Sequence, residues 1–258
     1  MLRSRCIWCS GLAADDHIEH IIPEALGCPL NFTLPGTVVC RKCNNGLAHL
    51  DQAVADEFDF IVFSTGVRRK GGKTPVISSR GNVLGTVRAG TPALSFNMER
   101  HPVLAHDGSR LAPYRRSKRN IDAKFEVHDQ EAKVSFESSF GDSPKFVRGL
   151  TKIAFSSFAY FLGPAAALES QFEPVRQFVR SGRGNRHVML LVSSDTQYRN
   201  SAWPPYRHET GYFAVPLRIA HIEFLLDLSP NECLLPALEG KQFEQAGTDG
   251  WCVLPPRG

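Results

Sequence analysis

Four cysteines near the start of the chain have the spacing of metal ligands. Cys6 and Cys9 form one Cys-x2-Cys pair, and Cys40 and Cys43 form a second. Because only two residues separate paired cysteines, one tight turn can direct both sulfurs to a common point, where thiolates bind zinc tetrahedrally at about 2.3 Å. Disulfides are the alternative, but the total of 7 cysteines is odd and the N-terminus does not resemble a signal peptide. The pattern therefore predicts a structural Zn²⁺ site.

Side chains suited to proton transfer and to hard cations lie between and beside the two pairs. Glu19 and His20 begin the run Glu-His-Ile-Ile-Pro, and Asn44 directly follows the last cysteine of the second pair. A histidine can exchange a proton near neutral pH, whereas carboxylate and amide oxygens suit hard cations. We expect the cysteines outside the pairs to be ordinary buried thiols. They are Cys28, Cys233 and Cys252.

The ordered combination of these motifs resembles the HNH endonucleases, in the zinc-stapled branch of the ββα-metal, or treble-clef, nucleases. The resemblance covers about residues 1 to 60 and rests on three segments. They are Cys6-Ile-Trp-Cys9, Glu19-His-Ile-Ile-Pro-Glu-Ala-Leu-Gly27 and Val39-Cys-Arg-Lys-Cys-Asn-Asn45.

The resemblance implies a role for each polar residue. Glu19 and Asn44 would each offer an oxygen to a catalytic Mg²⁺ or Mn²⁺, and His20 would deprotonate a water that attacks phosphorus. The products would carry a 5′ phosphate and a 3′ hydroxyl. Read from the residues alone, His20 could instead be a hydrogen-bonded residue of the core, and Asn44 could cap a helix.

A hairpin and a helix must position these side chains. β-Branched residues predict a first strand at 18–22, a turn at 34–36 and a return strand at 37–40. From Arg41 onward, apolar residues recur every three or four positions and predict an amphipathic helix that carries Asn44 in its first turn. Strict alternation along the first strand would send Glu19 and His20 to opposite faces, so a shared site would require a bulge or strong twist.

Other residues of this module could assist. His17 and His49 are possible further ligands or phosphate contacts, although a structural role is the more ordinary interpretation of each. Asn45 could support the metal ligands. Arg41 and Lys42, at the start of the helix, could contact DNA phosphates.

Charge is distributed unevenly along the 258 residues. Residues 1–64 hold 4 Lys/Arg against 8 Asp/Glu, whereas residues 65–258 hold 26 against 18. This asymmetry predicts an acidic catalytic domain at 1–64 and a basic α+β domain at 65–258 that binds substrate or regulates the first. Seven basic residues of the second part are candidate DNA contacts or, alternatively, solvated loops. They are Arg68, Arg69, Lys70, Arg115, Arg116, Lys118 and Arg119.

The second part predicts a mixture of hairpins, helices and further strands. Hairpins are expected at 76–87 and 123–136, since short β-rich runs flank turn residues there. Ser143-Pro144 predicts the start of a long apolar helix that ends at Gly163. A shorter helix is expected at 173–180, and strands are expected at 188–192, 212–215 and 219–225. The predicted class is α+β throughout.

The sequence therefore predicts a metal-dependent DNA endonuclease. The resemblance to HNH proteins also implies a role as a restriction or antiphage defence effector, with other subunits of a defence system as partners. A noncatalytic zinc module that binds nucleic acid or protein, and an RNA-directed nuclease, are the alternatives. No apolar run is long enough to span a bilayer. We expect a cytoplasmic protein.

Overall fold

The computed structural model describes the hairpin, helical and sheet regions of the chain. The basic residues from Arg68 to Lys70 and from Arg115 to Arg119, and Cys233, lie outside the described residues. The described residues are 4–65, 76–79, 83–88, 91–96, 122–128, 131–137, 140–141, 143–192, 197–207, 213–230 and 252–254.

The chain forms two units. The first combines Met1–Val54 with Gly141–Gly258, and the second is Ala55–Phe140. The N-terminal residues thus share a unit with the C-terminal part, whereas the sequence placed a domain boundary at 64–65. The physical reason is the long apolar helix predicted at Ser143-Pro144, which packs against the N-terminal module through Phe155 and Trp8.

The first unit begins with a short antiparallel hairpin. Strand β1 (Ile18–His20) pairs with β2 (Thr33–Pro35), and a single 3-10 turn at Glu24–Leu26 lies between them. The return strand expected at 37–40 is wrong, and so is the turn expected at 34–36. The backbone N–H groups of Val38 and Val39 both donate to the Pro35 carbonyl, at 2.8 and 3.2 Å, so these residues curl into a turn despite their β-branched side chains.

Helix α1 (Arg41–Glu57) begins where the sequence predicts. Its apolar stripe is buried at Leu47, Leu50 and Val54. The first turn of α1 has a backbone N–H group that needs a hydrogen-bond acceptor. Asp15, which is 26 positions earlier in the sequence, supplies it, because its Oδ2 accepts a hydrogen bond from the Arg41 N–H at 2.6 Å. A carboxylate at this position also interacts favourably with the positive end of the helix dipole.

The second unit contains helix α2 (Asp59–Ser64) and two antiparallel sheets. Strand β4 is central in the three-stranded sheet, and the other sheet is a hairpin. Both predicted hairpins are present. The strands are β3 (Val76–Ser79), β4 (Val83–Arg88), β5 (Thr91–Phe96), β6 (Asp122–His128) and β7 (Glu131–Glu137).

The C-terminal part of the first unit packs helices on an antiparallel sheet. The predicted long helix is α3 (Pro144–Leu162), and it is followed by α4 (Pro164–Ala167) and α5 (Glu173–Ser181). The sheet order is β10-β11-β12-β8-β13, with β9 also paired to β11. Its strands are β8 (Val188–Val192), β9 (Ser201–Ala202), β10 (Tyr206–Arg207), β11 (Phe213–Ile219), β12 (Ile222–Asp227) and β13 (Cys252–Leu254).

Aromatic rings form the core between α3 and the sheet. Phe158 of α3 lies 4.7 Å from the Phe172 ring and 5.7 Å from the Phe213 ring, measured between centroids. One turn earlier, Phe155 packs against Trp8 at 5.2 Å, so the same helix covers the N-terminal module. Mixed helices and antiparallel sheets confirm the α+β class. Among the described residues, no helix is both long and apolar enough to cross a membrane.

Candidate functional site

The four paired cysteines converge on one point. Their sulfurs all lie within 4.8 Å of one another, and Cys9 Sγ lies 3.8 Å from Cys40 Sγ. A tetrahedron with metal–sulfur bonds of about 2.3 Å has edges of about 3.8 Å, so these residues fit a zinc ion in both number and spacing. Cys6 and Cys40 are buried, whereas Cys9 is exposed. The cluster can therefore hold zinc as predicted.

Hydrogen bonds prepare the cluster for a cation. The Cys40 N–H donates to Cys6 Sγ at 3.3 Å. Together with a hydrogen bond from the Cys43 thiol, which is the largest cause, it lowers the pKa of Cys6 to about 4 against the opposing effect of burial. The same interaction with Cys6 raises the pKa of Cys43. A zinc ion at the four sulfurs would stabilise all of them as thiolates.

The cluster joins the N-terminal turn to the start of helix α1. Within the turn, the Cys6 N–H donates to the Gly11 carbonyl at 2.8 Å, and the Ile7 N–H donates to the Val38 carbonyl at 3.0 Å. Because Val38 lies between the hairpin and α1, a metal at the four sulfurs would fix the direction in which the helix leaves the hairpin.

A second polar cluster is buried where β1, α1 and α3 meet. Lys152 Nζ lies 2.5 Å from Glu19 Oε1 and 2.7 Å from each carboxylate oxygen of Asp51. The Lys152 and Glu19 side chains are 1% and 4% exposed, and that of Asp51 is 24% exposed. We call these three residues the Glu19–Lys152–Asp51 cluster. It links residues that are 101 positions apart in the sequence.

Electrostatics keeps the lysine of this cluster charged. Burial alone would lower the pKa of Lys152, but the carboxylates of Asp51 and Glu19 outweigh it, and the pKa is raised. Burial raises the pKa of both Glu19 and Asp51, although Lys152 opposes it in each case. With all three groups ionised, the cluster carries two negative charges and one positive charge.

The predicted base lies at the edge of this cluster. His20 is half-buried at the end of β1, and its charge acts on the carboxylates of both Glu19 and Asp51, where it opposes part of the rise in pKa caused by burial. His49 also acts on Asp51. It is exposed on α1, and its Nδ1 lies 2.9 Å from the Gly46 carbonyl oxygen. Two imidazoles thus lie within electrostatic reach of one carboxylate.

Regular strand geometry separates Glu19 from His20. Three consecutive residue pairs join β1 to β2 without an inserted residue, and the side chains alternate from exposed Ile18 to buried Glu19 to half-buried His20. Glu19 therefore points to the core. Asn44 lies half-buried in the first turn of α1. Within the described part of the chain, no hydrogen bond joins the side chains of Glu19, His20 and Asn44.

The other candidates have varied surroundings. Asp15 and Asp16 form ion pairs with the Arg41 side chain, at 3.9 and 3.0 Å, and that side chain is 58% exposed. Lys42 and Asn45 are exposed. Both ring nitrogens of His17 are buried, without a hydrogen-bond partner in the described residues.

The expected hard cation does not fit Glu19 as this residue is placed. Mg²⁺ and Mn²⁺ require oxygen ligands with room for bound water, but the Glu19 carboxylate faces an ammonium group in a site that is almost closed to solvent. The role of Glu19 and Asn44 as ligands of a catalytic cation stays a prediction.

Sequence reasoning missed Lys152 and Asp51. Lys152 is the charged residue in the otherwise uncharged and buried stretch Leu-Thr-Lys-Ile-Ala-Phe of α3, and a lysine there requires a buried counter-charge. That signal pointed to a buried ion pair, but the identity of its partners depends on the way α3 crosses α1.

Comparison with protein-family models, curated proteins and solved structures gives no match to this chain.

Proposed function

We propose that this chain is an endonuclease that hydrolyses phosphodiester bonds of DNA, with His20 as its general base. One observation carries the proposal. Four sulfurs within 4.8 Å of one another join the N-terminal turn to the start of α1, and His20 lies at the end of strand β1, within electrostatic reach of the Asp51 carboxylate. The sequence resemblance to HNH endonucleases rests on the same segments.

The proposed reaction is the hydrolysis of a phosphodiester bond by water. His20 would accept a proton from water, and the resulting hydroxide would attack phosphorus opposite the leaving 3′ oxygen. As the new P–O bond forms, the bond from phosphorus to the 3′ oxygen breaks, and that oxygen takes up a proton. The negative charge of the Asp51 carboxylate, which is within electrostatic reach of His20, would favour the imidazolium that forms.

Charge supports nucleic acid as the partner. Residues 65–258 carry 26 Lys/Arg against 18 Asp/Glu, and an excess of cations on one part of a protein favours phosphate binding. A role in restriction or antiphage defence, together with other subunits of such a system, is part of the proposal and follows from the resemblance to HNH proteins alone.

A noncatalytic zinc module is the second candidate, and one observation favours it. The Glu19 carboxylate that the HNH resemblance would assign to a cation is paired with Lys152 at 2.5 Å. In this case the zinc-bound module would bind DNA, RNA or protein without cleaving it.

A cleavage assay separates these candidates. The wild type and His20→Ala would be incubated with supercoiled DNA, linear DNA and RNA, each with Mg²⁺, with Mn²⁺ and with EDTA. His221→Ala serves as the matched control, because His221 is a half-buried histidine in the turn between β11 and β12. Zinc content, measured by elemental mass spectrometry, shows whether each variant keeps its fold around the cysteines.

The expected result is cleavage of DNA by the wild type and by His221→Ala, and a loss of at least about a hundredfold in His20→Ala with zinc retained. Cleavage of RNA alone would point to the RNA-directed alternative. DNA binding without cleavage, unaffected by His20→Ala, would support the noncatalytic module and overturn the proposal.

A further inference from the structure

We infer that the Glu19–Asp51 pair is a site for the chain's own ammonium group: Lys152 takes the place that a divalent cation would occupy there. This inference rests on the site of the proposed function. It concerns the binding of a divalent cation at that site, and a measurement of metal binding tests it without any cleavage of DNA.

The distances place the ammonium where a bound metal would lie. One nitrogen, Lys152 Nζ, contacts Asp51 through both carboxylate oxygens at 2.7 Å and Glu19 through one oxygen at 2.5 Å. Mg²⁺ bound to the same oxygens would lie about 2.0–2.1 Å from each. The two positions overlap, so the ammonium and the metal exclude each other.

Burial prevents the two cations from sharing the pair. Lys152 is 1% exposed and Glu19 is 3% exposed, so there is little solvent to screen repulsion between an ammonium and a divalent ion. Mg²⁺ also retains several waters in most protein sites, and this pair leaves little room for them.

The packing of α1 against α3 fixes the position of the lysine. Gly149 precedes Lys152 by about one turn of α3, and a Cβ atom at Gly149 would lie 2.4 Å from Val54 Cγ2 and 2.8 Å from the Leu50 carbonyl oxygen. The two helices therefore cross at a separation that only glycine permits. This close crossing brings Asp51 of α1 within reach of Lys152.

The ion pairs make Lys152 a positioning residue. It holds the Glu19 carboxylate of β1 against α1, and His20 is the next residue along the strand. If the chain cleaves DNA, any divalent ion it uses is therefore bound by groups other than Glu19 and Asp51.

Manganese binding tests the inference without nucleic acid. The zinc-loaded full chain would be titrated with Mn²⁺ and followed by electron paramagnetic resonance. We expect Glu19→Gln and Asp51→Asn, each in the wild-type background, to leave Mn²⁺ affinity within about twofold of the wild type. We expect Lys152→Met to create a site that binds Mn²⁺ at least about tenfold more tightly, and the added substitution Glu19→Gln to abolish it.

The opposite results would overturn the inference. If the wild type binds Mn²⁺ and Glu19→Gln or Asp51→Asn weakens that binding more than about tenfold, the carboxylates hold a metal and not the ammonium. These two variants decide the question even if Lys152→Met does not fold. Cleavage is a separate readout: loss of the proposed nuclease activity leaves the Mn²⁺ result standing, and failure of the Mn²⁺ result leaves cleavage by His20 standing.

Discussion

Gly149 on α3 lies directly against the backbone carbonyl of Leu50 on α1, where an added Cβ atom would approach the carbonyl oxygen to 2.8 Å. This contact sets the spacing of the two helices. Because Asp51 follows Leu50 and Lys152 lies one turn after Gly149, the same crossing positions the buried ion pair. A single glycine thus links the packing of the first unit to its charged cluster.

We predict that Gly149→Ala lowers the free energy of unfolding by about 1–3 kcal/mol, the usual cost of forcing extra volume into a packed site. Helix propensity alone would favour alanine, so a loss of stability would report the clash with Val54 and Leu50. Urea unfolding monitored by circular dichroism measures it. The matched control is Gly46→Ala on α1, because a Cβ there meets nothing within 4 Å, and it should stabilise by up to about 1 kcal/mol. Equal effects of the two substitutions would contradict the proposed helix crossing.

The elements with strong local signals could be predicted from the sequence. Helix α3 has Pro at its first position and Gly directly after its end, and it runs as expected from Pro144 to Leu162. The hairpins β3–β4 and β6–β7 also lie where β-rich runs flank turn residues. The return strand β2 was placed wrongly, since Val38 and Val39 have high strand propensity but bond to the Pro35 carbonyl in a turn. Here a tertiary constraint, the cysteine cluster next to them, outweighs propensity.

We predict that the chain binds zinc in a ratio of about one per molecule through the four paired cysteines, and that Cys43→Ser removes most of it. Loss of one thiolate opens a tetrahedral site, and structural zinc contributes directly to folding free energy. Elemental mass spectrometry and thermal unfolding would both detect the change. Cys28→Ser is the control, because Cys28 is a half-buried thiol outside the cluster. Retention of full zinc content in Cys43→Ser would contradict the assignment.

The cysteine cluster could be predicted because its ligands form local pairs, but the Glu19–Lys152–Asp51 cluster could not. Its members come from β1, α1 and α3, and only the tertiary fold brings Lys152 to residues more than a hundred positions before it in the sequence. Alternation along β1 correctly indicated that Glu19 and His20 face different sides. It did not indicate which of the two faces the core.

We predict that Lys152→Met is destabilising by about 3–5 kcal/mol, because it leaves two buried carboxylates without their cation. Adding Glu19→Gln should restore part of the loss, since one of the uncompensated charges is removed with little change in shape. The double-mutant cycle, measured by urea unfolding, isolates the coupling between the two side chains. Additive effects would show that the ion pair contributes nothing, despite its distance of 2.5 Å.

Alkaline pH should weaken the contribution of Lys152 to stability. Its pKa in the folded state is raised above the ordinary 10.5 by Asp51 and Glu19, which outweigh burial. A group whose pKa is raised by folding stabilises fully below its unfolded pKa, and this stabilisation disappears as the pH rises through the folded value. The difference in unfolding free energy between the wild type and Lys152→Met should therefore be constant up to about pH 10 and should narrow above it. Lys145→Met is the control, because Lys145 is exposed at the start of the same helix, and its difference from the wild type should stay small throughout. If the Lys152→Met difference widens on the alkaline side, the lysine is not the charged partner of the two carboxylates.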